Sequence, residues 1–195
     1  MDDVTSVQLR DGTEAWVVPL VHANREALRH EYEHLSTQTQ FSRFLAPVSG
    51  LTDTMLETLM DDVDGIDHVA LVLLVVTPDG TELPLGLARI IRYPDDPVAA
   101  DVAVTVVDDW QRRGVATALL EVLMRQRPKG VQRIITVTDA TNHASLALLR
   151  RLGETEVSQP ESGTQRVVVE LADEADPPPP AGAPSPSERY DDLSS

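Results

Sequence analysis

The chain contains no cysteine. That excludes disulfide staples, thiolate nucleophiles and cysteine metal sites, and leaves any covalent chemistry to serine, threonine or a carboxylate. No apolar run approaches the roughly 20 residues that cross a bilayer. The opening MDDVTSVQLRDG carries two acids where a secretory signal would carry positive charge and then an apolar stretch, so a cytoplasmic protein with no membrane partner is expected. Excess positive charge is also missing. The net charge is -16, which disfavours general binding to nucleic acid by long-range repulsion. There is no G-x-x-x-x-G-K-[ST] and no G-x-G-x-x-G, so neither a P-loop nor a dinucleotide fingerprint is present. No internal repeat is evident.

What is present suits a globular protein. At 195 residues, 42% hydrophobic and 25% charged, the chain fits a single domain large enough to bury a real core. The end, DEADPPPPAGAPSPSERYDDLSS, holds four consecutive prolines and almost no large apolar side chain. It is expected to be a disordered acidic tail over 173–195, behind a domain spanning 1–172.

SVQLRDGTEAWVVPLV reads as two short strands around an Asp11-Gly12 turn. Leu28 and Tyr32 recur at helical spacing after a capping Asn24, and Met55, Leu56, Leu59, Met60 and Val63 form a second stripe after Thr52 or Asp53. DHVALVLLVV and ELPLGLARIIRY flank a PDG turn and predict a hairpin, with ADVAVTVV as a further buried strand. Ala116, Leu119, Leu120, Leu123 and Met124 then mark a helix, VQRIITVTD a strand, and the segment from about His143 to Leu152 a helix closed by Gly153. Two short strands finish the domain. The order predicts an α+β (α/β) fold with a mixed sheet, in which Asp101 to Asp139 forms a right-handed parallel crossover.

The joint VVDDWQRRGVATALL stands out electrostatically. From Arg112 to Arg133 the chain carries Arg112, Arg113, Arg125, Arg127, Lys129 and Arg133 against the single acid Glu121. A helix beginning near Arg113 or Gly114 offers unpaired backbone N–H groups and the positive end of its dipole. Gly114 removes a Cβ where a ligand must approach, Ala116 keeps the next turn small, and the two arginines add charge. The joint is therefore a candidate pyrophosphate cradle.

Gln111-Arg112-Arg113-Gly114-Val115-Ala116 resembles the [QR]-x-x-G-x-[GA] motif of the GNAT superfamily of acetyl-CoA-dependent N-acyltransferases. Asn142, Ser145, Leu148 and Gly153 resemble its later N-x-x-[AS]-x-x-[LM]-x-x-x-x-G helix. The element order from Glu14 to Leu171 is similar to the whole GNAT fold, and FSRFL, LTDTMLETLMDDVD and HVALVLLV look like the GNAT domain of bacterial protein lysine acetyltransferases. The resemblance implies a central mixed, mostly antiparallel sheet of about seven strands flanked by about four helices. It also implies acetyl-CoA as acyl donor, no metal, and direct attack by a primary amine on the thioester.

Carried over by position, the backbone of Val104, Thr105 and Val106 would pair with the pantetheine arm and polarise the thioester carbonyl. Arg112, Arg113, Gly114, Val115, Ala116 and Thr117 would hold the pyrophosphate, and Asn142 would meet the donor near its thiol. Asp101 stands where the lysine acetyltransferases place a glutamate, which makes it the candidate base, acting directly or through water. An exposed edge acid is the plain alternative. The tyrosine that many members use as acid falls at Leu149, with Tyr93 as a possible substitute or a packing residue. This departure, with the shortened acid, keeps a second reading open: a GNAT fold that binds acyl-CoA without transfer and serves as a sensor or interaction module.

Asp53, Glu57, Asp61, Asp62, Asp64 and Asp67 run without an interspersed base. They suit a cationic amine acceptor, or simply solubilise a helix. His30-Glu31-Tyr32-Glu33-His34 fits H-E-x-x-H, but no third zinc ligand is recognisable, and a surface helix is expected there. The oligomeric expectation is a monomer or homodimer.

Overall fold

A computed structural model describes residues 4–20 and 63–172. The two helices expected between Asn24 and Val63, the HEYEH segment and the tail from Asp173 lie outside the described residues, apart from Val63 itself. The described elements run β1 (Thr5–Gln8), β2 (Glu14–Pro19), β3 (His68–Val76), β4 (Glu82–Tyr93), β5 (Asp96–Val106), α1 (Val115–Arg125), β6 (Arg133–Asp139), α2 (His143–Leu149), β7 (Gly153–Val157) and β8 (Thr164–Leu171). The strands form one sheet of eight in the order β1-β2-β3-β4-β5-β6-β8-β7. Every neighbouring pair is antiparallel except β5 and β6. This is the expected mixed sheet, with the eight strands that the strand-by-strand reading gives and one more than the resemblance implies.

β3 explains its own sequence. Residues His68 to Val75 are all buried, since the sheet is covered on both sides of this strand. Leu71 and Leu73 join the main core with Leu85, Ile90 and Ile134, while Ala70 and Val72 belong to a smaller cluster with Leu20. A strand buried on both faces has no polar side to alternate with, hence the unbroken apolar run. Opposite it, the register steps from Leu73↔Gly86 to Leu74↔Pro84, leaving Leu85 as the extra residue of a bulge. The bulge falls beside Pro84, which has no N–H to give the ladder.

α1 lies on the main-core face. Leu119 and Leu123 are fully buried, with Val115, Leu120 and Val122 nearly so. Gly86 permits that approach, for a Cβ there would come 2.8 Å from Thr105 O and 3.1 Å from side-chain carbons of both Val115 and Leu119.

Two boundaries differ from expectation. β5 starts at Asp96 rather than near Asp101, because β4 and β5 form a hairpin in which Tyr93 pairs with Asp96 across Pro94-Asp95. Proline in that stretch argues against a strand. The hairpin absorbs Pro97 through a register shift at Arg92/Tyr93, and Arg92 donates to Pro97 O (3.1 Å) and Lys129 O (2.8 Å). α2 ends at Leu149, not Leu152, and Gly153 is the first residue of β7. Its need for glycine is steric: a Cβ would sit 1.8 Å from Glu170 O on β8.

Candidate active site

The site begins where the sheet opens. β5 and β6 pair only at Ala99↔Arg133 and Ala100↔Ile134. Two residues on, the Thr136 hydroxyl donates to Val102 O (3.2 Å) in place of a backbone partner, and beyond that point the strands part. Val107 N–H bonds Leu85 O (3.0 Å), which fixes the alternation along β5. Thr105 therefore turns its N–H and C=O toward Leu87 on β4, while Val104 and Val106 turn theirs toward the gap. One of the gap-facing carbonyls, Val106 O, accepts a long bond from Gln111 Nε2 (3.5 Å).

Below the gap, a short 3₁₀ turn over Asp108–Trp110 leads into α1. Gln111 Nε2 also donates to Asp108 (2.9 Å), so the first residue of the motif braces the turn. Arg112 adopts φ 63 and Gly114 φ 99. These left-handed residues turn the chain sharply into the helix, whose first internal bond is Ala118 N–H to Gly114 O (2.9 Å). The amides of Val115, Ala116 and Thr117 thus have no acceptor within the helix, and they point from its positive end.

A cavity of about 620 Å³ occupies this corner. Of the residues expected to meet the donor, Val104, Thr105, Val106, Arg112, Gly114, Ala116, Thr117 and Asn142 line it. Arg113 and Val115 do not. The Val115 side chain is buried in the core, and Arg113 turns back to the N-terminal hairpin, 3.5 Å from Asp11 and 4.7 Å from the centre of the Trp110 ring. Asn142 caps α2 by accepting Ser145 N–H (3.0 Å).

Sequence reasoning missed Arg10 and Arg151, which also line the cavity. Arg10 arrives from the β1–β2 turn, with its N–H on Arg113 O (3.0 Å) and its Cγ 3.1 Å from where a Gly114 Cβ would be. No local pattern could reveal a contact more than a hundred residues away. Arg151 lies 3.6 Å from Glu121 and 3.4 Å from the Thr117 hydroxyl.

A second cavity, about 310 Å³, adjoins the first through Val104, Ser145 and Leu148, and contains Asp101, Arg89, Tyr93 and Thr136. Asp101 is not an exposed edge acid. Burial raises its carboxyl above the usual value, against the opposing pull of the Thr136 hydroxyl, the Arg89 charge and the Val102 amide. Tyr93 donates its hydroxyl to Ile135 O (3.0 Å), and burial together with the Asp101 charge raises the phenol. Leu149 is buried.

Of the six acids read as an acceptor feature, the two in the described region have structural partners. Asp64 accepts the N–H groups of Ile66, Asp67 and His68 at 2.8–2.9 Å, bonds that lower its carboxyl, and Asp67 pairs with Arg92 (2.8 Å). Asp53, Glu57, Asp61 and Asp62 lie outside the described residues. No helix among the described residues is long and apolar enough to cross a membrane.

The strand pair parts above a helix N-terminus, and the cavity there gathers the open edge of β5, the first amides of α1 and the side chains of Arg10, Arg112 and Arg151. The sequence profile of the acetyltransferase (GNAT) family matches residues 26–153. The chain belongs to that family, whose activity class is N-acetyl transfer. It is 30% identical over 158 residues to acetyltransferase PA5475 of Pseudomonas aeruginosa, covering 80% of this chain and 83% of the relative. Acetyltransferase Pat of Mycolicibacterium smegmatis is also 30% identical, over 75% of this chain, which spans only 43% of Pat. Among solved structures, the GNAT domain of S. lividans PAT superposes with a TM-score of 0.72 at 28% identity, covering 86% of this chain and 97% of the other.

Proposed function

We propose that the protein transfers an acetyl group from acetyl-CoA to a primary amine, either a protein lysine or a small cationic amine. The observation that carries this reading is the adjacency of the two cavities: a donor-sized cavity at the helix N-terminus shares Val104, Ser145 and Leu148 with a smaller one lined by the half-buried carboxylate of Asp101. The residues fit the donor. Gly114 lines the cavity and leaves room for the stem of Arg10, which a Cβ would meet at 3.1 Å; the amides from Val115 to Thr117 and the Arg112 charge suit a pyrophosphate, and the gap-facing edge of Val104 and Val106 suits the amides of a pantetheine arm.

Attack requires a neutral amine, and an amine of pKa near 10.4 must lose a proton first. Asp101 accepts it, directly or through one water, from the acceptor cavity. A raised carboxyl is a better base than an ordinary one at the same geometry. The amide of Val104 or Val106 holds the carbonyl oxygen as negative charge develops there; collapse then breaks the C–S bond, and CoA leaves as a thiolate that takes a proton from solvent. Asn142, whose oxygen is committed to capping α2, keeps its amide nitrogen as a donor toward the thiol end.

A second reading, acyl-CoA binding without transfer, draws support from one feature: Leu149 replaces the usual phenol and the Tyr93 hydroxyl is engaged with Ile135 O. A thiol-release screen with acetyl-CoA against simple amines, aminoglycosides and lysine peptides separates the two. Turnover on any amine supports the enzyme; tight CoA binding with no release on the whole panel supports the sensor.

A further inference from the structure

We propose that Arg10, on the β1–β2 turn, binds the 3′-phosphate of the CoA ribose and makes the protein discriminate against 3′-dephospho-CoA. The inference rests on the reading of the larger cavity as the CoA site.

Four arginines stand at or beside the joint, and the structure divides them. Arg113 is held by Asp11 and Trp110, and Arg151 by Glu121 and Thr117. Arg10 and Arg112 both line the cavity, and among the described residues no hydrogen bond or ion pair engages either guanidinium. CoA offers two separate anionic groups, a pyrophosphate and a monoester of charge about -1.5 to -2 near neutral pH. Arg112 stands in the loop that leads directly into the first turn of α1, whose amides are free, so it belongs to the pyrophosphate. Arg10 comes from a different element, the β1–β2 turn, and lies against Gly114 with its Cγ 3.1 Å from where a Cβ would be, so it supplies a cation independent of the α1 loop for the second anion.

The hairpin that presents Arg10 is fixed rather than loose. Leu9 is buried, Leu9 N–H bonds Thr13 O (2.9 Å), Gly12 N–H bonds Leu9 O (3.0 Å), and Arg10 N–H bonds Arg113 O (3.0 Å). Asp11 on the same turn grips Arg113. The turn thus anchors one arginine with its acid and projects the other into the cavity. A chain of net charge -16 repels a polyanion at long range, so a guanidinium with two parallel N–H donors, carried on a fixed turn, has a marked local effect.

The test is calorimetric titration of CoA and of 3′-dephospho-CoA into the full chain. The wild type should bind CoA about tenfold more tightly, Arg10→Gln should lose about tenfold on CoA and less than about twofold on dephospho-CoA, and Arg112→Gln should weaken both alike. Arg10→Lys, which keeps the charge on the same hairpin, should retain part of the discrimination even if Arg10→Gln melts early. Equal losses on both nucleotides in Arg10→Gln, or a wild type that does not distinguish them, would overturn the assignment while leaving the CoA site standing. A wild type that binds neither nucleotide would overturn the CoA site itself, and this inference with it.

Discussion

Replacing Gly114 tests the cradle most directly, because strain, contact and charge can be separated at one position. Its φ of 99 lies beyond the left-handed region that other residues tolerate, so Gly114→Ala should cost about 1–2 kcal/mol in backbone strain, partly offset by a stiffer unfolded chain. The new Cβ would meet Arg10 Cγ at 3.1 Å, a flexible side chain that can yield, and Arg10 N at 3.5 Å, an ordinary contact, so sterics add little. For a domain of this size, 1 kcal/mol shifts the melting temperature by about 2–4 °C. The ligand-free Ala variant should therefore melt a few degrees low. Gly114→Glu carries the same strain and adds a carboxylate beside the phosphates; two like charges about 4 Å apart near a protein surface repel by roughly 4 kcal/mol. That exceeds the roughly 2.7 kcal/mol by which a ligand at a hundred times its dissociation constant stabilises its protein. Thermal unfolding with and without acetyl-CoA at that wild-type excess should show a clear ligand shift in the wild type and none in Gly114→Glu. An undiminished shift in the Glu variant would place the phosphates elsewhere, and a ligand-free Ala variant melting at or above the wild type would refute the strain argument.

Other expectations concern Asp101, Gly86 and Gly153. Asp101→Asn should lower turnover by roughly a hundredfold or more while leaving acetyl-CoA affinity nearly unchanged, and wild-type kcat/KM should rise with pH through the raised carboxyl pKa, a limb the variant loses; full activity in the variant would assign the proton to another group. Because folding raises that carboxyl above its ordinary 3.8, the stability it confers is intact below that value and lost as pH rises through the folded one. Asp101→Asn should thus melt above the wild type at neutral pH, with the gap closing near pH 4, and a lower melting point throughout would contradict the burial argument. Gly86→Ala forces a methyl to 2.8 Å from Thr105 O and should cost about 1–3 kcal/mol while also weakening donor binding, read as a lower melting temperature and a higher acetyl-CoA dissociation constant. Gly153→Ala, blocked at 1.8 Å by Glu170 O, should destabilise more than Gly86→Ala in the same denaturation assay.

The fold was legible where local pattern and tertiary environment agree. β3 announced itself because burial on both faces requires an unbroken apolar run, and α1 because its buried residues recur at helical spacing. The early start of β5 was not legible. Local rules count Pro97 against a strand, whereas the hairpin with β4 accommodates it by shifting register and handing its carbonyl to Arg92, a partner fixed only in three dimensions. Gly153 shows the reverse case, a residue correctly singled out for the wrong cause: its glycine serves the close approach of β7 to the β8 backbone rather than a helix end.

The pair Arg112-Arg113 marks where sequence reading of the site stops. Adjacent and chemically identical, the two could only be assigned the same role from sequence. Their separation depends on Arg112 adopting φ 63, which sends the neighbouring side chains in different directions: one to the cavity, the other to Asp11 and the Trp110 ring. A left-handed arginine is uncommon, and holding it there requires the surroundings to fix the loop on both sides. Gln111 does so from within, through Asp108 and Val106 O, and the N-terminal hairpin does so from outside, through Arg10 N–H on Arg113 O. The motif therefore encodes a loop shape as much as a set of ligands. That shape is completed by a turn more than a hundred residues upstream, which is why the cation delivered on that turn could not be seen from the motif itself.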